Sequence, residues 1–154
     1  MPVNKDILFT EIRKINDQDF EEFEGFPETT EEASLRWCAA FNEYASTVTP
    51  PSSPIGIELA QQACESVLFA SLSASNPTSL ETAFQAYVVE LGNGMQPAFT
   101  AVPPVGLVLA PVFVIGLAGG SAEAVAETMS GIIDAWFRTG TATNNSSGVT
   151  VPWS

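Results

Sequence analysis

The sequence has no histidine and only five lysines and arginines against eighteen carboxylates, so its formal net charge is −13. Residues 37–137 contain eight acidic residues and no lysine or arginine at all. Proteins that bind nucleic acid neutralise phosphates with such cations, so this charge distribution argues against a nucleic-acid partner. For the same reason, docking onto anionic lipid headgroups is disfavoured.

The sequence also lacks the common signatures of catalytic, metal and cofactor sites. It contains no nucleophile elbow, Walker loop, Cys/His metal spacing or dinucleotide glycine pattern. Its two cysteines are Cys38 and Cys64. Two cysteines do not make a disulfide scaffold, so we predict two free, buried thiols. A catalytic thiol normally needs a basic partner, and the chain has no histidine to supply one. We expect no metal, no cofactor and, since the start lacks a long apolar run, no signal peptide.

Residues 91–122 carry no charge and include four prolines and six glycines, which prevent one regular helix. A segment this apolar must be covered by the protein's own helices, by a second chain or by lipid. In lipid, the prolines would leave carbonyl groups without donors, and no Lys/Arg cluster sets a membrane topology. The sequence therefore favours protein over membrane, and we expect residues 99–113 in particular to form an assembly contact.

Four segments have apolar residues at helical spacing, bounded by helix start and stop signals. Thr-x-x-Glu capping boxes at Thr29 and Thr78 mark the start of the first and the third of these predicted helices. The predicted helices cover residues 29–48, 57–72, 78–91 and 121–139. We predict a mainly α fold, a small bundle of about four helices within residues 29–140, with residues 92–120 as a long Pro/Gly-rich apolar loop.

The two ends differ from this helical domain. Residues 1–28 are predicted to be an acidic arm or a short amphipathic helix. Phe20, Phe23 and Phe26 recur there among acids, which indicates rings that dock on a partner or on the chain's own body. Residues 141–154 are predicted to be an extended arm whose Trp153 anchors a neighbour, with an unstructured tail as the alternative.

Two acidic patterns invite a functional interpretation. Glu123, Glu127 and Asp134 share one face of the last predicted helix, as catalytic carboxylates could, but an exposed helix face has the same pattern. The acids at positions 17, 19, 21 and 28 match ligand positions of a calcium loop. Because Glu22 replaces the glycine that such a loop requires, we favour a solvated acidic turn.

The final third has a characteristic order of segments. An uncharged PAFTAVPP segment is followed by a helix that begins after Gly-Gly-Ser and ends in IIDAWFRTGTA, and then by the polar tail TNNSSGVTVPWS. Over about the last 60 residues, this order resembles small structural proteins of tailed-bacteriophage particles. The resemblance implies a non-enzymatic virion subunit of tail, neck, baseplate or head surface, made in the host cytoplasm.

Such a subunit would contact copies of itself and other virion proteins through its loop and arms. The predicted interface residues are Phe20, Phe23, Phe26, Phe99, Val102, Leu107, Val112, Phe113 and Trp153. A membrane-associated lysis or secretion component and a small carboxylate-based enzyme remain the alternative functions.

Overall fold

The computed structural model describes residues 2–17 and 26–154, and within them the protein is mainly helical, which confirms the predicted fold class. These residues form six helices and three short strands. In chain order they are α1 (Lys5–Asn16), α2 (Thr30–Ala45), α3 (Pro54–Ser73), α4 (Ser79–Asn93), β1 (Phe99–Val102), α5 (Ala110–Leu117), α6 (Ala122–Phe137), β2 (Thr141–Asn144) and β3 (Thr150–Pro152). Phe20, Phe23 and the calcium-loop positions 19 and 21 lie outside the described residues.

The predicted capping boxes have different outcomes. At α2, the Thr29 hydroxyl accepts the N–H of Glu32 at 3.0 Å, as the box predicts, while the Glu32 carboxylate accepts the N–H of Glu28 at 2.9 Å. At α4, the Thr78 hydroxyl bonds the side chain of Asn76 at 2.9 Å and does not cap the helix. The prediction of a capping box at Thr78 is therefore wrong, although α4 starts where it was predicted.

The core is built around Phe41 of α2. Its ring stacks on Phe84 of α4 with the ring centroids 4.3 Å apart, and it meets Tyr87 edge-on at 4.9 Å. Phe137, from the end of α6, approaches the same ring at 6.2 Å. Aromatic contacts of this kind add to the stabilisation from buried area. The cluster thereby joins α2, α4 and α6 in one core, while α1 packs on α6 and α3 packs on α4.

Cys38 and Cys64 form a disulfide between α2 and α3, with their Cα atoms 5.9 Å apart. Both residues are fully buried, as predicted, but the prediction of free thiols is wrong. The two helices pack directly against each other, and this places the facing cysteines within the range that a disulfide spans.

Residues 141–154 belong to the folded body. Strands β1, β2 and β3 form an antiparallel sheet in that order. Beyond β3, Trp153 is 1% exposed, its ring lies 5.2 Å from that of Phe137, and its indole N–H donates to the carbonyl of Thr141 at 3.1 Å. Gly140 leaves room for this ring, because a Cβ there would lie 2.7 Å from it. The predicted extended arm with Trp153 as an external anchor is therefore wrong.

The disulfide should make a measurable contribution to stability. It closes a loop with a sequence separation of 26, for which the chain-entropy model gives about 3.5 kcal/mol. We expect Cys38→Ala/Cys64→Ala to lower the free energy of unfolding by about that amount in urea titrations. The double variant should be insensitive to reductant, whereas the wild type should lose stability on reduction; equal stability of oxidised and reduced wild type would contradict the assignment.

Trp153→Ala tests whether the indole belongs to the core. Removing a buried tryptophan typically costs about 3–5 kcal/mol, so the free energy of unfolding should fall by about this amount at protein concentrations where the chain is monomeric. Val149→Ala, at an exposed position before β3, serves as the control and should change it by less than about 0.5 kcal/mol. A Trp153→Ala variant as stable as wild type would show that the ring does not stabilise the monomer.

Candidate protein-interaction surface

Helix α5 and the loop before it carry several exposed apolar side chains, which together we call the α5 face. The helix, with the sequence APVFVIGL, is uncharged, and Val112 is its only buried residue. The exposed fractions are 75% for Val105, 58% for Val108, 54% for Phe113, 66% for Val114 and 89% for Leu117. Large apolar side chains concentrated in this way are typical of interaction sites.

The opposite side of the same segment is covered by the protein's own helices. Leu107, Leu109 and Val112 are buried in the core. The Glu81 carboxylate of α4 accepts the N–H of Leu109 at 3.2 Å, and the Gln85 amide of the same helix donates to the carbonyl of Pro104 at 2.8 Å. Side chains of α4 thus satisfy backbone groups of an irregular segment, so intramolecular packing covers one side and leaves the other side open.

A mainly apolar groove runs beside α5. One cavity of about 340 Å³ lies between α5, α2 and α6, and a second of about 320 Å³ continues toward the end of α3. Trp37, Leu80 and Phe113 line both cavities. Phe113 therefore stands between two recesses, and the α5 face is a ridge with a groove alongside it.

The predicted interface residues fall into separate groups. Phe26, Val102 and Phe113 are exposed, and Phe99 is half-buried in β1. Leu107, Val112 and Trp153 are buried within the chain, so predicting them as contacts with a neighbour was wrong. The reason is that these three side chains are needed to cover the chain's own core.

Val105 and Val108 lie within the predicted contact range 99–113 but were not named individually, and the sequence prediction missed Val114 and Leu117. A signal for part of this set was present, because residues 110, 113, 114 and 117 follow the i, i+3, i+4, i+7 spacing of one helix face. The prolines and glycines before and after α5 favoured a loop in the sequence prediction, so this helix of eight residues was not predicted.

Two of the three carboxylates considered for catalysis, Glu127 and Asp134, are engaged in structural contacts. Glu127 forms an ion pair with Lys5 of α1 at 2.7 Å. Asp134 accepts hydrogen bonds from the Tyr44 hydroxyl at 2.7 Å and from the Arg138 Nε at 2.9 Å. These contacts hold α1 and α2 against α6, and they do not support the carboxylate-enzyme alternative.

The metal hypothesis also gains no support from the part of the chain that the structure describes. Asp17, the first position of the predicted calcium loop, accepts a hydrogen bond from the Arg13 Nε at 2.9 Å. Residues 2–17 and 26–154 contain no group of three or more His, Cys, Asp or Glu placed to hold a metal ion. In the same residues, no helix is both long enough and apolar enough to cross a membrane.

No protein-family model, curated protein or solved structure matches this chain significantly.

Both tyrosines of the protein are buried, which gives a testable pH dependence. Burial raises the pKa of Tyr87, and burial together with the hydrogen bond to Asp134 raises the pKa of Tyr44. Unfolded tyrosine ionises near pH 10, so below that pH this stabilisation is fully present. Above pH 10, the tyrosines lose their protons only in the unfolded state. The free energy of unfolding should therefore fall by about 1.4 kcal/mol per pH unit for each tyrosine.

Urea titrations from neutral to alkaline pH, together with the absorbance of tyrosinate, measure this effect. We expect the absorbance to rise only as the protein unfolds. The variants Tyr44→Phe and Tyr87→Phe should each reduce the alkaline slope of stability. Tyrosinate formed near pH 10 in protein that is still folded would contradict the burial of both rings.

Proposed function

We propose that this protein is a non-enzymatic structural subunit of a larger assembly, a tailed-bacteriophage particle, in which neighbouring copies meet through the α5 face. The observation that carries the proposal is the α5 face itself, where five large apolar side chains are each more than half exposed. Burying such a face between chains removes apolar surface from water, which is the main driving force for association.

A second copy of the chain is the occupant that the charge distribution favours. Two molecules of net charge −13 repel each other, and they approach most easily through a surface without carboxylates. Residues 91–122 contain no charged residue, and Glu81 of α4, which lines the recess beside Phe113, already accepts the N–H of Leu109. Two α5 faces can therefore meet with few charges to desolvate. A face that contacts its own copy gives a closed, symmetric interface, the commonest arrangement in homo-oligomers.

The assignment to a phage particle rests on two further points. The last third of the chain resembles small structural proteins of such particles in the order of its segments. The Cys38–Cys64 disulfide is also compatible with a virion, because disulfides persist on virion surfaces and are rare in the cytosol.

Charge placed on the α5 face tests the proposal. Wild type should form dimers or larger oligomers at micromolar concentration in native mass spectrometry and light scattering. The variant Val114→Glu/Leu117→Glu should be monomeric, because each interface would then bury two carboxylates from each copy without a cation. Its free energy of unfolding should stay within about 0.5 kcal/mol of wild type, since both positions are exposed.

Val149→Glu is the matched control, because Val149 is 57% exposed but lies before β3, outside the α5 face. This control should assemble like wild type. A wild type that is monomeric throughout the concentration range would overturn the proposal. Flotation with phosphatidylcholine vesicles distinguishes the membrane alternative, since co-flotation that Val114→Glu/Leu117→Glu abolishes would identify the α5 face as a lipid contact instead.

A further inference from the structure

We infer that a second surface, the groove between α2 and α3, binds a basic, apolar segment of a different protein. The groove is an open surface depression of about 340 Å³, and none of its lining residues belongs to the α5 face. Its six lining residues come equally from the two helices. They are Glu31, Ser34, Leu35, Glu65, Ser66 and Phe69.

Two large apolar side chains of this groove face solvent. Leu35 of α2 and Phe69 of α3 are 47% and 48% exposed. Both line the same recess, one from each wall, so an apolar side chain that enters the groove would contact both. Contacts of this kind, central and shielded from water, carry most of the energy in protein interfaces.

The charges of the groove determine which partner fits. Glu31 and Glu65 place one carboxylate on each wall, and the side chain of Gln61 donates to Glu65 at 3.0 Å. A lysine or arginine next to an apolar residue would pair with these carboxylates while the apolar residue enters the recess. Such complementarity speeds association and selects the partner.

The partner is a different protein because this chain has no cation left to offer. Each of its five cations forms an ion pair with a carboxylate of the same chain. The pairs are Lys5–Glu127, Arg13–Asp17, Lys14–Glu11, Arg36–Glu32 and Arg138–Asp134. A second copy would have to break one of these ion pairs to fill the groove, whereas a basic protein would not.

The disulfide holds the groove in a fixed shape. Cys38 lies one helical turn after Ser34, and Cys64 directly precedes Glu65, so the covalent link joins the two walls next to the recess. A partner therefore meets a preformed site and loses less entropy to ordering when it binds.

Binding of a short synthetic helix with leucines on one face and lysines on the other tests this inference by fluorescence anisotropy and by amide chemical-shift mapping. The peptide should shift the signals of Ser34, Leu35, Ser66 and Phe69. Glu31→Gln/Glu65→Gln should weaken binding by roughly tenfold, as expected for the loss of two exposed ion pairs. Leu35→Ser/Phe69→Ser should weaken it at least as much, through lost apolar contact.

The matched control is Glu43→Gln/Glu123→Gln, which removes the same charge outside the groove and, like Glu31→Gln, alters the first turn of a helix. It should bind the peptide within about twofold of wild type, because distant surface charges are screened. Equal weakening by both pairs of Gln substitutions would mean attraction to net charge alone and would overturn the inference. Shifts confined to Val114 and Leu117, or no binding, would also overturn it. Because this groove lies outside the α5 face, the outcome is independent of whether the protein self-associates.

Discussion

The stacking of Phe41 on Phe84 is the contact on which the rest of the fold depends. From this pair, the aromatic cluster extends through Tyr87 and Phe137 to Trp153, so a single network of rings connects three helices with the strand region. The apolar segment adds Leu107, Leu109 and Val112 to the same core. The other side of that segment stays exposed and forms the α5 face.

The distribution of charge distinguishes the two proposed interaction surfaces from the acidic remainder of the molecule. Ion pairs within the chain use all the cations, and the pairs of Lys5 with Glu127 and of Arg138 with Asp134 lie where α1 and α2 meet α6. Carboxylates outnumber cations by eighteen to five, so most of the surface has a negative potential. Against this background, the α5 face is neutral and the α2–α3 groove combines acids with apolar side chains. The two surfaces therefore suit different partners, a like-charged copy and a basic protein.

The helices could be predicted from sequence because their signals are local. Apolar spacing and the Thr29 cap involve residues a few positions apart, and they place α2, α4 and α6 closely. The disulfide and the burial of Trp153 depend on which elements pack together, and no local spacing encodes that. The strands that hold Trp153 are three and four residues long, too short for a clear alternating pattern. The α5 face had a readable helical spacing, but the surrounding prolines and glycines favoured a loop.

The docking of α1 on α6 has a consequence for the folding rate. Lys5 and Glu127 are 122 positions apart, so this contact closes a very long loop and must overcome a large loss of chain entropy. By contrast, α3 and α4 are neighbours in sequence and pack extensively on each other. Local contacts form fastest, so the α3–α4 hairpin is expected to appear early and α1 to dock late. Until α1 docks, Leu8 and Ile12 remain open to water, and exposed apolar surface of this kind favours aggregation.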